Sequence, residues 1–283
     1  MNRFENITKP LMWFMALLLA AFVAGCGGGG NGVPVSGPGP TGGACVAAGC
    51  VNLGTTANYV ILANTAITNT PTSVVTGDMG ISPNKAASIT GFALIEDATK
   101  DFSTSAQVTG RIYAPDYTGG QLGSAGTTPA KMVTAQNDKV TAYNDAAGKP
   151  PGVGATNLNL LAGSIPSGHD FAPGTYTWDS GTPSGNVGMT GTITLTGNTT
   201  DIWIFQISGI LTLASSTNIT LVGALPQNVF WQVAGGAVIG TGAHMEGVIL
   251  SKTAIALGTG ATVKGRLQAQ SAVTLAGNTV TVP

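Results

Sequence analysis

The sequence predicts a mainly β protein built as a solenoid, with one long α-helix packed alongside and an irregular cap segment. Three observations carry this: a short strand-and-turn repeat near the C-terminus, one helix-forming stretch, and very little charge. Ala237-Val238-Ile239-Gly240, Ala254-Ile255-Ala256-Leu257 and Ala272-Val273-Thr274-Leu275 form one pattern at steps of 17 and then 18 residues, and Ile210-Leu211-Thr212-Leu213 is an earlier copy. Each copy is followed by small polar residues and a second β-branched run, within 217–221, 243–248, 261–265 and 278–282. So short a repeat marks stacked coils, because one coil cannot bury its apolar side without neighbours.

The N-terminal residues read as export and tethering. Arg3 and Lys9 precede an apolar run at 11–23 too short for a comfortable membrane span, and Val23-Ala24-Gly25 leads into Cys26. Residues 1–25 resemble a bacterial lipoprotein signal peptide whose cleavage leaves Cys26 acylated, anchoring the protein to the membrane; an ordinary secretory signal is the alternative. Either way the chain is exported. Gly27 after the acylated Cys favours the outer membrane or cell surface, and plain secretion follows from the alternative. Residues 26–50 are a Gly- and Pro-rich tether. Cys45 and Cys50 are candidates for a disulfide in the exported compartment, two free thiols being the other possibility.

Residues 51–283 form the folded domain. Residues 58–67 and 73–81 read as strands around the turn signal Thr70-Pro71 and make a first coil. Residues 90–128 hold Glu96, Asp97, Lys100, Asp101, Arg111 and Asp116, which suits a cap protecting an open coil edge. Thr128 as cap and Pro129 at the first position open a helix over 130–147, stopped by Gly148 and Pro150. Its inward face is read as Val133, Val140, Tyr143 and Ala147, with Met132, Ala135 and Gln136 alongside. About 18 residues at about 1.5 Å span roughly 27 Å, enough to pass five or six strands at about 4.8 Å. The helix should therefore lie along the stack.

The strands show what each side meets. Residues 202–207 and 229–233 are apolar on both sides, so one side faces the coil interior and the other the helix, with Trp203 and Trp231 expected beneath the helix. In the next strand of each coil, Leu211, Leu213, Val238, Ile255, Leu257, Val273 and Leu275 are assigned inward. Thr212, Ala237, Ile239, Ala254, Ala256, Ala272 and Thr274 then form a small, flat, uncharged outer row. The third strand presents Asn218, Thr220, His244, Glu246, Thr262, Lys264, Thr279 and Thr281, a mixed polar side.

Composition excludes several functions. Charged residues make up 8% of the chain, with 11 basic against 12 acidic, so nothing marks a nucleic-acid surface. Ser164, Ser167, His169 and Asp170 lack a nucleophile elbow and the geometry of a triad. His244 and Glu246 fall short of a zinc site. Asp201, Glu246, Lys252, Lys264 and Arg266 are scattered through the coils, too sparse for polysaccharide cleavage. No enzyme, metal or cofactor is expected. What remains is a set of turns at coil intervals: Thr196-Gly197-Asn198-Thr199, Thr241-Gly242-Ala243-His244, Thr259-Gly260-Ala261-Thr262 and Ala276-Gly277-Asn278-Thr279.

Many separate motifs resemble the microbial ice-binding domain known as the DUF3494 family. They include Tyr59-Val60-Ile61-Leu62-Ala63, Thr76-Gly77-Asp78-Met79-Gly80-Ile81-Ser82-Pro83, Ile89-Thr90-Gly91-Phe92, Ala172-Pro173-Gly174-Thr175-Tyr176, residues 202–207, Phe230-Trp231-Gln232-Val233-Ala234-Gly235 and Glu246-Gly247-Val248-Ile249-Leu250. The resemblance implies a right-handed β-solenoid of triangular section, a helix alongside, a cap near one end, and adsorption to ice. Some members carry Thr-Ala/Gly-x-Thr/Asn on the ice side. Thr196 to Thr199 and Thr259 to Thr262 fit it; His244 and Ala276 depart from it. The candidate ice-contacting residues are Thr196, Thr199, Thr212, Thr241, Ala256, Thr259, Thr262, Thr274 and Thr279, with the protein a monomer whose partner is the ice crystal. A surface adhesin or structural solenoid binding protein or glycan is the alternative, favoured if aromatic platforms line an exposed side.

Overall fold

The computed structural model describes residues 49–283, apart from 71, 120–126, 153–155 and 181–184. The signal segment, Cys26, Cys45 and most of the tether lie outside the described residues. Cys50 is disulfide-bonded.

The chain is mainly β with one helix. Its parallel strands stack in three ladders. The helix-side ladder takes Gly174–Trp178, Trp203–Ile207, Val229–Val233, residues 248–251 and 266–269, Tyr59–Ala63, Asp78–Ile81 and residues 112–113. The flat ladder is a separate eight-stranded sheet running Ser164–Ile165, Val187–Met189, Leu211–Leu213, Ala237–Ile239, Ile255–Leu257, Ala272–Leu275, Ala66–Asn69 and Ile89–Thr90. The mixed ladder holds Asp170–Phe171, Thr192–Thr196, Asn218–Val222, residues 244–246 and 262–264, Thr279–Thr281, Val74–Thr76 and residues 108–109. Three strands, Val108–Tyr113, His244–Ser251 and Thr262–Ala269, turn a corner and belong to both the helix-side and mixed ladders. Through the first and last of them six strands at one end close a ring of pairings, so these two ladders are continuous there.

The order of stacking is not the order of the chain. The strands expected as the first coil, 58–67 and 73–81, meet the last one: Ile61 pairs Leu267, Ala66 pairs Ala272 and Val74 pairs Thr279. The strands read as 58–67 and 73–81 each divide in two at a corner. Beyond them the cap forms as expected: Ile95–Glu96 and Ser103–Ser105 make antiparallel pairs that finish at Val108–Tyr113. These antiparallel strands cover the outer edge of Val108–Tyr113, while Ile89–Thr90 ends the flat ladder.

The helix, α1, spans Thr128–Ala147 and carries the chain back along the stack to the strands around 174–207. Its cap is Thr127, whose hydroxyl accepts from the Ala130 N–H at 3.5 Å. Thr128, expected to cap, is buried and donates to the Asp101 carbonyl at 2.7 Å, fastening the helix to the cap segment. The inward face is Met132, Ala135, Lys139, Ala142 and Ala146. Val133 is 54% exposed and Ala147 is exposed, while Val140 and Tyr143 are half-buried. The expected face is thus rotated, because a lysine marks the centre of the real one. Ala side chains let α1 approach closely: Met132 and Ala135 pack with Tyr59, Leu62 and Tyr113, and Ala142 and Ala146 with Ile204, Phe230, Val248 and Leu250.

Lys139 lies between these two clusters. Its ammonium donates to the Asn64 side-chain oxygen and, at 2.8 Å, to the Ala269 carbonyl. Burial pushes its pKa down to about 7. Gln206 also bridges sheet and helix, donating to the Ala146 and Lys149 carbonyls at 3.0 and 2.9 Å and so satisfying the helix C-terminus. Trp203 and Trp231 are not beneath the helix. They point into the coil interior, where Phe205 stacks on Trp231 at 4.0 Å and 10°. The neighbours Ile204 and Phe230 meet the helix instead, since alternate residues face opposite sides.

Corners are where glycine is required. Residues 247 and 265 are in register across adjacent strands, and a Cβ on Gly265 would penetrate the Gly247 carbonyl. Gly242, Gly260 and Gly277 repeat at another corner with φ of 64°, 69° and 63°, and Ser216 adopts 59° in the same series. There the backbone must be left-handed but space is open, since nothing lies within 4 Å of a Cβ at Gly260.

Gly265→Ala should therefore cost about 3 kcal/mol or more, enough to threaten folding, while Gly260→Ala should cost only about 1–2 kcal/mol of left-handed strain. Chemical denaturation of the two variants checks this; equal losses would contradict the corner geometry. Lys139 gives a pH prediction. Its folded pKa is about 7 and its unfolded value about 10.4. Below 7 both states are protonated and the burial penalty is in full. Between those values the unfolded state holds more protons, so stability should rise with pH. Lys139→Met should flatten that rise, as measured by denaturation at neutral and alkaline pH.

Candidate functional site

Side chains on a flat sheet alternate in and out, so the register of each strand decides what its surface carries. In the flat ladder one residue per strand points outward at the strand centre. The row runs Ser164, Gly188, Thr212, Val238, Ala256, Thr274, Thr68 and Thr90, each in register with the next. Ile210, Gly236, Ala254, Ala272 and Ala66 lie beside it towards the helix-side corner. None of these residues is charged. The Thr68 hydroxyl donates to that of Thr274 at 3.3 Å, so neighbouring threonines hold one another's rotamers. Inward, Leu211, Leu213, Ile255, Leu257, Val273 and Leu275 pack into the core as expected.

One strand was assigned with the wrong face. Ala237 and Ile239 are 1% and 0% exposed and Val238 is 44% exposed, the reverse of the expectation. Matching Ala237 to Ala254 by letter slips the register by one residue; the pairing is Ala237 with Ile255, a step of 18. That single slip inverts every side chain of the strand. Gly188 leaves a depression of about 390 Å³ between Ser164, Thr190 and Thr212, and a Cβ there would meet nothing within 4 Å.

The nine candidate residues are not one surface. Thr212, Ala256 and Thr274 belong to the flat row. Thr241 and Thr259 stand exposed at the corner between the flat and mixed ladders, joined by the Gly242 N–H donating to the Thr259 carbonyl at 3.0 Å. Thr262 and Thr279 lie in register within the mixed ladder, beside His244 and Asn218. Thr196 and Thr199 lie at a different corner, between the mixed and helix-side ladders, where the Thr196 hydroxyl donates to Asp170 at 2.9 Å. The four Gly-containing turns are therefore not one stack. At 242, 260 and 277 glycine is explained by left-handed backbone alone.

Sequence reasoning missed Thr68, Thr90, Gly188, Ser164 and Val238. The signal for Thr68 was present: Ala66-Ile67-Thr68 has the same outward-inward-outward form as Ala272-Val273-Thr274, far away in the chain. The mixed ladder carries charge, with Glu246 in register with Lys264. His244 bridges Thr262 at 2.7 Å and Glu246 at 3.0 Å. The residues weighed for hydrolysis have other partners: Ser167 Oγ accepts from the Thr192 N–H at 3.1 Å, and the His169 ring meets Phe171 edge-on at 4.5 Å.

Comparison with known proteins agrees with this architecture. A family described as ice-binding-like matches residues 61–281. The chain is 45% identical over 207 residues to ice-binding protein K3-B1 of Typhula ishikariensis, covering 72% of this chain and 78% of that one. It is 41% identical over 234 residues to an ice-binding protein of Flavobacterium frigoris, covering 82% and 76%. Among solved structures, an ice-binding protein from an Arctic yeast superposes with a TM-score of 0.75 at 39% identity, over 83% of this chain and 95% of that one. A Shewanella frigidimarina ice-binding domain gives 0.71 at 29% identity, over 82% and 97%. The chain belongs to the ice-binding-like family.

Proposed function

We propose that this protein binds ice through the flat ladder of a right-handed β-solenoid of triangular section, and that the contact involves no covalent chemistry. The observation that carries the reading is the in-register outward row from Ser164 to Thr90, small and without charge. Charged groups impose their own tightly held water, whereas methyl and hydroxyl groups at a strand spacing of about 4.8 Å can order a layer of water continuous with a crystal. Close-packed coils keep that spacing rigid. Adsorption at many points along an ice front makes the front curve between them, which slows growth and recrystallisation. Thr212, Ala256 and Thr274 form the centre of the contact, with Thr241 and Thr259 at its margin. Thr68 and Thr90 extend it towards the cap.

The same reading makes the protein an exported monomer, held to the outer membrane or cell surface by acylated Cys26 and extended by the tether. Several acyl chains make release from a membrane negligible, so inhibition would be confined to ice at the cell boundary. Fatty-acid labelling with fractionation tests the anchor. An unlabelled protein in the medium would replace it with ordinary secretion.

Ala256→Tyr and Thr274→Tyr should each lower thermal hysteresis and recrystallisation inhibition several-fold while leaving unfolding within about 0.5 kcal/mol, since a ring on the surface enters no core. Thr279→Tyr, in the mixed ladder, should retain activity. Watching single ice crystals in each purified variant decides the matter: loss only in Thr279→Tyr would move the contact to the mixed side. Gly188→Thr should fold normally and keep or raise activity, because it fills the depression and lengthens the row. A fall in activity for a stable Gly188→Thr protein would count against the flat row.

A further inference from the structure

The mixed ladder contains a second candidate site, unrelated in its chemistry to the flat row. Asn218, Thr220, His244, Glu246 and Lys264 line a groove of about 530 Å³, roofed by Ala224, Leu225 and Pro226 where the chain leaves Asn218–Val222. His244 holds Glu246 in place: one ring nitrogen meets Thr262 Oγ1 at 2.7 Å and the other meets Glu246 Oε1 at 3.0 Å. The second carboxylate oxygen, Oε2, is buried and receives no hydrogen bond from the protein. A carboxylate oxygen in that position calls for a donor. Lys264, the register partner of Glu246, supplies an exposed ammonium and hence donors of its own.

We propose that this groove binds a neutral saccharide. A ligand here must donate to Glu246 Oε2, accept from Lys264, and lay apolar atoms against Leu225 and Pro226. Adjacent sugar hydroxyls do both polar tasks, and the C–H face of the ring does the third. A bare cation is disfavoured by the Lys264 ammonium and by the single carboxylate, and an anion by Glu246. The volume falls in the range of small-ligand sites, roughly 300–1,000 Å³. The groove also opens onto a track of polar residues at one per strand, since Lys264 is followed in register by Thr281, Thr76 and Thr109. A chain of sugars could follow that track while the flat row, on a separate ladder, remains clear.

The test uses the mature protein and a panel of neutral gluco-, manno- and galacto-oligosaccharides, with glucuronate and calcium chloride as separate arms. The expected result is a saturable shift of the His244 ring resonances with at least one neutral oligosaccharide, and a tenfold or greater loss of affinity in Glu246→Gln. Ala256→Tyr should bind the sugar unchanged, which keeps this result separate from the fate of the ice reading. Lys264→Gln, at an exposed position, should weaken binding several-fold and serves if Glu246→Gln does not fold. No saturable shift with any neutral sugar, a shift only with glucuronate or calcium, or unchanged affinity in the carboxylate and lysine variants would overturn the proposal.

Discussion

The structure depends on one constraint: each coil must superpose on the next at a single strand spacing. Parallel pairing enforces it, because strands of neighbouring coils exchange hydrogen bonds along their length and tolerate no drift. The tightest consequence falls at residues 247 and 265, where carbonyl and Cα meet with no space for a side chain. Composition follows from this geometry. Glycine recurs because corners recur, and Thr, Val and Ile recur because a pleated surface favours branching at Cβ. Aromatic residues stack for the same reason, as Tyr176, Phe205 and Trp231 occupy equivalent positions on successive strands.

Superposition alone does not close the stack, and the rest of the chain manages its ends and its discontinuity. Residues 59–81 join the far side of the last coil, and α1 then carries the chain back to begin the run at residue 164. The helix is consequently a connection as much as a cover. Its small residues bring it near the sheet, and three polar side chains between them find partners: Gln206 in helix carbonyls, Gln268 in Thr56 and Tyr59, and Lys139 in Asn64 and Ala269. Burying a lysine without a carboxylate is costly and depresses its pKa. Lys139 nonetheless donates to Asn64 and Ala269, which lie on two adjacent coils, so it ties the helix to both sides of the point where the stack order departs from the chain order.

Much of this was legible in the sequence, and the failures share a cause. The repeat, the helix, the cap and the doubly buried strands at 203–207 and 229–233 followed from periodicity and turn residues. Facing did not follow so well. Val238 is read as inward because Ala237 and Ala254 share a letter, although the true step is 18 residues on both sides of the preceding corner, Val233 pairing Ser251 and Ala237 pairing Ile255. The helix was rotated because Val133 looks like core and Lys139 does not. Thr196-Gly197-Asn198-Thr199 was grouped with Thr259-Gly260-Ala261-Thr262 on spelling, yet the two occupy different corners. Local pattern reports that a coil exists; register is a long-range property. It is set by backbone pairing between residues such as Thr68 and Thr274, which no short window contains.

The distribution of charge is the remaining step. Stacked parallel strands present several surfaces, so each can be given a separate chemistry by the choice of outward residues. Here the flat ladder exposes Ser, Gly, Thr, Val and Ala, while the mixed ladder gathers His244, Glu246 and Lys264, and the cap takes Glu96, Asp97 and Lys100. Moving Lys264 onto the flat row would disturb the ordered water proposed there. Moving Ala256 into the mixed ladder would leave His244 and its carboxylate with a weaker polar neighbourhood. Threonine lines both surfaces, and charge separates them. The low overall charge of the chain is therefore less telling than its placement, and placement is what a functional side of this molecule is made of.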